Sequence, residues 1–213
     1  MSPESFVEDI LVNCMGAKVV VVGHDHRFGR DRAGDVDLLE KLGSLHGFDV
    51  IQCEPLLIGA KAVSSSRIRG LLDGGDVRGA ATLLDRRYSF AGRVIHGAGR
   101  GKTIGIPTAN ISPLSTDKLI PGLGVYAVMT QLPGESFSRP GMMNIGRRPT
   151  FDGTGLHLEV NVLDWSGDLY EHEVRVEFVE RIRDEQKFDG IDALLKQLNA
   201  DRDRCRALLR DIS

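Results

Sequence analysis

The run His96-Gly-Ala-Gly-Arg-Gly-Lys-Thr-Ile-Gly-Ile-Pro-Thr-Ala-Asn110 is the part of this chain best suited to chemistry. Its glycines, Gly97, Gly99, Gly101 and Gly105, let backbone N–H groups converge on an anion with no Cβ in the way. Arg100 and Lys102 add positive charge, and Thr108 and Asn110 offer neutral oxygens that suit a phosphate-bound Mg²⁺. Two commoner phosphate motifs fail here. A P-loop needs glycine where His96 stands and a helix afterwards, which Pro107 breaks. The dinucleotide fingerprint needs a third glycine where Lys102 stands. The pattern reads as a nucleotide-phosphate loop, but glycines alone would serve equally well in a hairpin that binds nothing.

Other candidates carry weaker signals. Glu159 alternates with apolar residues, which on sequence alone describes an exposed strand carboxylate. Ser64, Ser65 and Ser66, followed by Arg67 and Arg69, could grip phosphate at a helix start or simply cap that helix. His24 and His26 flank Asp25, but a metal site needs further ligands, so metal binding is not the expectation there.

The elements that must position these residues change character near Arg86. Before it, apolar runs alternate with helical stretches. Residues 18–22 read as a buried parallel strand and 48–53 as a second strand. A helix is expected over 37–45 with Leu38, Leu39, Leu42 and Leu45 on one stripe, and two more over 65–72 and 76–84. After Arg86, short strands are expected at 88–96, 124–130, 142–145, 156–163 and 174–179, joined by Gly/Pro turns as in a small antiparallel β-barrel. His157, Glu159 and Asn161 share one strand face. A C-terminal helix follows, with Ile191, Leu194, Leu195 and Leu198 on a stripe resumed by Cys205, Leu208 and Leu209 and a solvated charged back. Two units follow from this: an α/β unit over about 1–86 and a β-barrel with a helix over 87–213.

Composition narrows the class. The 213 residues are 41% hydrophobic and 27% charged, ordinary for a globular protein. A net charge of −3 offers no argument for nucleic acid or an anionic membrane. No apolar run near the start could span a bilayer, and the acidic N-terminus is not a secretory signal. Three scattered cysteines, Cys14, Cys53 and Cys205, fit reduced thiols in the cytoplasm.

The second unit resembles riboflavin kinase along most of its length. The match is carried by residues 97–110, Gly124-Val-Tyr-Ala127, Asn144-Ile-Gly-Arg-Arg-Pro-Thr-Phe151, Leu158-Glu-Val-Asn-Val-Leu-Asp-Trp165 and Arg181-Ile-Arg-Asp-Glu-Gln-Lys-Phe188. The first resembles part of the nucleotidyltransferase (Rossmann-like) module of the bacterial bifunctional riboflavin kinase/FMN adenylyltransferases, through Gly23-His-Asp-His-Arg-Phe-Gly29 and Val63-Ser-Ser-Ser-Arg-Ile-Arg69.

The resemblance implies ATP- and Mg²⁺-dependent phosphorylation of riboflavin to FMN, releasing ADP. Glu159 would be the general base. Gly97, Gly99, Arg100, Gly101 and Lys102 would hold the phosphates, and Thr108 and Asn110 would sit at the Mg²⁺–nucleotide site. Arg183 would belong to a flavin-side flap, with residues 114–119 as the other flap. Asp25, Phe28, Gly29, Ser64, Ser65, Ser66 and Arg69 match a residual adenylyltransferase site, Ser66 standing where that family has Thr. No His-x-Gly-His motif is present, so the first unit is expected to be a partial module with doubtful FAD synthesis and lower stability. The alternatives are a bifunctional enzyme making FAD, and a flavin- or nucleotide-binding module without turnover.

Overall fold

The computed structural model describes residues 1–97, 105–150 and 153–212. The chain divides into two compact units, Met1–Val63 and Ser64–Ser213.

In the first unit a short helical turn, α1 (Pro3–Ser5), runs into a π-helical segment, Phe6–Cys14. Strands β1 (Val19–Gly23) and β2 (Asp49–Cys53) pair in parallel through helix α2 (Val36–His46). Asp35 caps α2 by accepting from Leu38 N, and Gly47 ends it in the left-handed conformation. A small hairpin, β3 (Leu57–Ile58) with β4 (Lys61–Ala62), completes the unit. Its core gathers Val7, Val22, Phe28, Val36, Leu39, Leu42 and Phe48. The parallel pairing agrees with expectation, but the buried strand does not. Val19 is 51% exposed, Val21 61% and Ile51 52%, because a two-stranded sheet covers only one of its faces. Leu45, placed on the α2 stripe by spacing, is also exposed.

The second unit opens with helices α3 (Ser65–Asp73) and α4 (Val77–Leu84). Ser64 caps α3 and Asp76 caps α4. The compact division falls between Val63 and Ser64, and Leu72, Val77 and Ala80 belong to the same core as the barrel residues Phe90, Tyr126 and Phe178. Gly122 N also donates to Leu72 O. Strand character begins after Arg86, at Ser89.

Six strands close the barrel: β5 (Ser89–Ile95), β6 (Ala109–Pro113), β7 (Gly124–Gln131), β8 (Ser138–Thr150), β9 (Gly153–Val162) and β10 (Glu173–Arg183). Their spatial order is β10-β5-β6-β9-β8-β7, and the pairings between them are antiparallel. Sequence periodicity misses β6, whose short Ala-Asn-Ile-Ser-Pro run barely alternates, and underestimates β8. The interior is filled by side chains such as Phe90, Val94, Tyr126, Met143, Val160 and Phe178, with Tyr126 edge-on to Phe178 at 5.3 Å. A packed interior leaves only the outer wall for binding.

Helix α5 (Ile191–Leu209) lies on that wall and packs Leu198, Cys205 and Leu209 against Val125, Ala127, Met129 and Met142. Strand β7 is consequently buried on both faces. The apolar surroundings push the Cys205 thiol up to about 12, so it stays protonated. Ile191, expected on the packed stripe, is exposed at the first turn. Asp201 occupies a stripe position instead of the solvated back and is 2% exposed. Its carboxylate accepts from Arg183 Nε and Nη2, the shortest contact 2.8 Å, and from Gln197 Nε2 at 2.8 Å. A buried carboxylate is tolerable because it is paired and hydrogen-bonded.

Two measurements follow from this packing. Amides of β1 and β2 will exchange faster with solvent than those of β7, and equal protection would refute the ranking of the two units. Asp201→Ala leaves the partly buried Arg183 without its partner and should cost about 3 kcal/mol. Urea unfolding followed through the single tryptophan, Trp165, which packs on the barrel core, will read that loss.

Candidate functional site

One rung of hydrogen-bonded register crosses the barrel wall. Ile95 of β5 faces Asn110 of β6, and Asn110 faces Glu159 of β9. Glu159 faces Asn144 of β8, Asn144 faces Val125 of β7, and Val125 faces Arg183 of β10. Directly opposed residues of an antiparallel pair project to the same face. The neighbours Val94, Ile111, Val160, Ile145 and Tyr126 fill the interior, so the rung projects outward.

A cavity of about 370 Å³ opens on this wall. Its apolar lining includes Ile106, Val125, Met142, Phe188, Leu194 and Leu198, and its polar lining includes Thr108, Asn144, His157, Glu159 and Glu185. That mixture and size suit a small organic ligand with a few polar handles.

Glu159 is only 18% exposed in its side chain and is not a plain surface carboxylate. His157 Nε2 lies 2.7 Å from Glu159 Oε1, so the imidazole N–H can donate to the carboxylate. The sequence places both residues on one face of β9, but the direct contact is a structural finding. Asn161, the third polar residue of that face, is 4% exposed, and its Nδ2 donates to Pro107 O at 2.7 Å. It thereby holds the chain just before Thr108. Sequence reasoning gave Asn161 no role, although a buried amide on a polar strand face was the available signal.

Asn110 is buried, and its Oδ1 has no hydrogen-bond partner among the described residues. Its side chain lies against Gly97, where any Cβ would overlap the amide. The start of the glycine segment is thus brought directly onto Asn110. Gly99, Arg100, Gly101 and Lys102 lie outside the described residues. A buried amide oxygen two residues along from the Thr108 hydroxyl offers hard, neutral donors of the kind that suit Mg²⁺ shared with phosphate oxygens and water. Among the described residues no cluster of three His, Cys, Asp or Glu side chains is placed to hold a metal.

Arg183 lines the cavity, but its donors are engaged elsewhere. Nε and Nη2 bind Asp201, and Nη1 donates to Asp184 O at 2.8 Å. Its guanidinium also lies 5.7 Å from the Phe188 ring centre. Gly146 permits another close approach, because a Cβ there would meet the Glu185 carboxylate.

Several of the adenylyltransferase-like residues make local structural contacts. In the first unit Phe28 is a core residue, stacked on His26 at 5.9 Å. Gly29 has a φ of +72° and lies against Pro3, which leaves no room for a Cβ. Asp25 is exposed. In the second unit Ser64 Oγ accepts from Arg67 N at 3.3 Å, Ser65 and Ser66 open α3, and Arg69 is exposed one turn on.

Comparison with known proteins extends the picture. A family model for riboflavin kinase matches residues 84–209, and one for FAD synthetase matches residues 1–67. The bifunctional riboflavin kinase/FMN adenylyltransferase of Pseudomonas fluorescens is 40% identical over 209 residues, covering 98% of this chain and 66% of that protein. Its Escherichia coli counterpart is 39% identical over 201 residues, covering 94% and 63%. The chain thus spans slightly less than two thirds of the length of these curated relatives. A solved structure from Streptococcus pneumoniae, described as a macrolide-efflux protein, is 34% identical with a TM-score of 0.85, covering 97% of this chain and 65% of that one. No helix among the described residues is long and apolar enough to cross a membrane. With the closed barrel, its outer-wall cavity and a family match over more than half of its length, the chain belongs to the riboflavin kinase family.

Proposed function

We propose that this protein transfers the γ-phosphoryl group of ATP to the ribityl 5′-hydroxyl of riboflavin, forming FMN and ADP. The observation that carries the reading is the rung that gathers Asn110, Glu159 and Asn144 on one wall of a riboflavin kinase barrel.

In this reading the flavin ring occupies the apolar part of the cavity, between Val125 and Met142 on the wall and Leu194 and Leu198 on α5. Glu159 takes the ribityl hydroxyl proton as the oxygen attacks the γ-phosphorus, and the bond to the ADP bridging oxygen breaks. His157 orients Glu159 by donating to Oε1. Thr108 and Asn110 would hold Mg²⁺, which when bound neutralises charge on the phosphates. Asn161 fixes Pro107, so Thr108 is already in place before nucleotide arrives. Arg183 acts through structure: its clamp on Asp201 holds α5 where Leu194 and Leu198 face the cavity. The three free cysteines support a cytoplasmic enzyme.

A second activity, adenylylation of FMN to FAD, is favoured by the FAD synthetase match over residues 1–67 and by the names of the curated relatives.

Chromatography of products from riboflavin, ATP and Mg²⁺ will separate these readings. FMN alone is the expected product. FAD in addition would establish the second activity, and absence of both would overturn the kinase reading. Glu159→Gln should lower kcat by about 10²–10⁴-fold with little change in the KM for riboflavin. His157→Phe should lower kcat about tenfold, and His157→Gln should restore most of it, because an amide N–H can still hold the carboxylate. Unchanged kcat in His157→Phe would remove the orienting role.

A further inference from the structure

A second cavity, about 300 Å³, lies on the barrel wall away from the first, and Leu114, Ser115 and Lys118, from the segment expected as a flavin-side flap, line this cavity and not the first. Arg86, Ser89, Leu114, Ser115, Lys118 and Arg175 line it. It forms where the start of β5, the end of β6 and the start of β10 meet. Ala91 faces Arg175 across β5 and β10, and Leu114 N donates to Ala91 O. Ser89 and Ile95 are opposite ends of β5, so about 20 Å of strand separates this place from the rung at Ile95 and Asn110.

Three cations converge here with little to neutralise them. Arg86 and Lys118 have no carboxylate partner among the described residues. Arg175 shares Glu177 with Arg87, at 3.4 and 3.9 Å respectively. The Lys118 ammonium instead sits 4.5 Å from the centre of the Tyr88 ring. Burial, and then the neighbouring charges of Arg86 and Arg175, hold the Lys118 pKa below its ordinary value. Like charges gathered around a hollow repel one another unless an anion fills it.

Ser89 adds a donor. It is 6% exposed and projects to the outer face, because Phe90 and Val94 point inward. It lines the cavity, where an oxyanion would accept the hydrogen bond of its hydroxyl.

We propose that this pocket is a second oxyanion site, distinct from the substrate cavity, which holds a phosphate group through Arg86, Lys118 and Arg175 with Ser89 donating. The occupant is free phosphate or the phosphate end of a small phosphomonoester; Leu114 would flank the organic part of an ester. This site stands on its own observations and does not rest on the kinase reading.

The test is an NMR titration of the full chain at constant ionic strength, with inorganic phosphate in one arm and glycerol phosphate in the other. Saturable amide shifts at Ser89, Ala91, Ser115 and Lys118 are expected in at least one arm, and the arm of higher affinity identifies the source. Arg86→Gln and Lys118→Gln should each weaken binding about tenfold, the worth of a charge-assisted hydrogen bond. Ser89→Ala, which removes one oxygen and leaves the wall intact, should weaken it about threefold and covers the case in which the charge variants fold poorly. Asn110→Ala should leave affinity unchanged. The proposal is overturned by equal shifts with chloride, by shifts confined to the wall around Asn144 and Glu159, or by affinity that Asn110→Ala lowers and Ser89→Ala does not.

Discussion

The register of the closed barrel is the constraint on which everything else rests. Five pairings, from Ile95 through Asn110, Glu159, Asn144 and Val125 to Arg183, put residues from six strands on one level and one face. The period of a strand is two, so a one-residue slip of β9 would send Glu159 into the core and Val160 out to solvent. The apolar interior forbids that slip, because Phe90, Tyr126, Met143, Val160 and Phe178 must all remain inside. Core packing therefore fixes the chemistry on the wall without touching a substrate.

The ion pair of Arg183 with Asp201 joins that wall to its cover. Arg183 follows two register irregularities in β10, between Phe178 and Glu180 and between Arg181 and Arg183. Such bulges bend a strand and re-aim its side chains. The re-aimed guanidinium meets a carboxylate from α5 that would be prohibitively buried without it. Leu194 and Leu198 then form the apolar side of a cavity whose polar side is the rung. A charged residue in the middle of a helix's packed stripe is what specifies the position of that helix along the wall.

The two compact units differ in how completely they bury their own apolar residues. In the barrel unit both faces of β7 are covered, one by the interior and the other by α5. In the first unit, β1 and β2 cover one face only, and Val19, Val21 and Ile51 remain in contact with water. Local pattern cannot reveal this difference. A run of valines reads as buried whether or not a second layer exists to bury it, because burial belongs to the assembly of elements and not to the strand.

Local chemistry was enough to make much of the chain legible. Alternation and glycine–proline punctuation located most of the barrel strands, and the 3.6-residue period located the helices, because these signals depend on neighbours a few positions away. The glycine segment, the Pro-Thr-Ala-Asn end and Glu159 within its motif were likewise visible as residue types in order. Long-range register was not visible. That Asn110 stands beside Glu159, that Asn161 holds Pro107, and that Arg183 is occupied by Asp201 all depend on residues between 18 and 54 positions apart. The basic hollow at Arg86, Lys118 and Arg175 draws on segments farther apart still. The sequence by itself determined which elements form and which side chains are available. Only the tertiary structure decided which of those side chains meet, because closing a sheet fixes every register at once and no single strand encodes that choice.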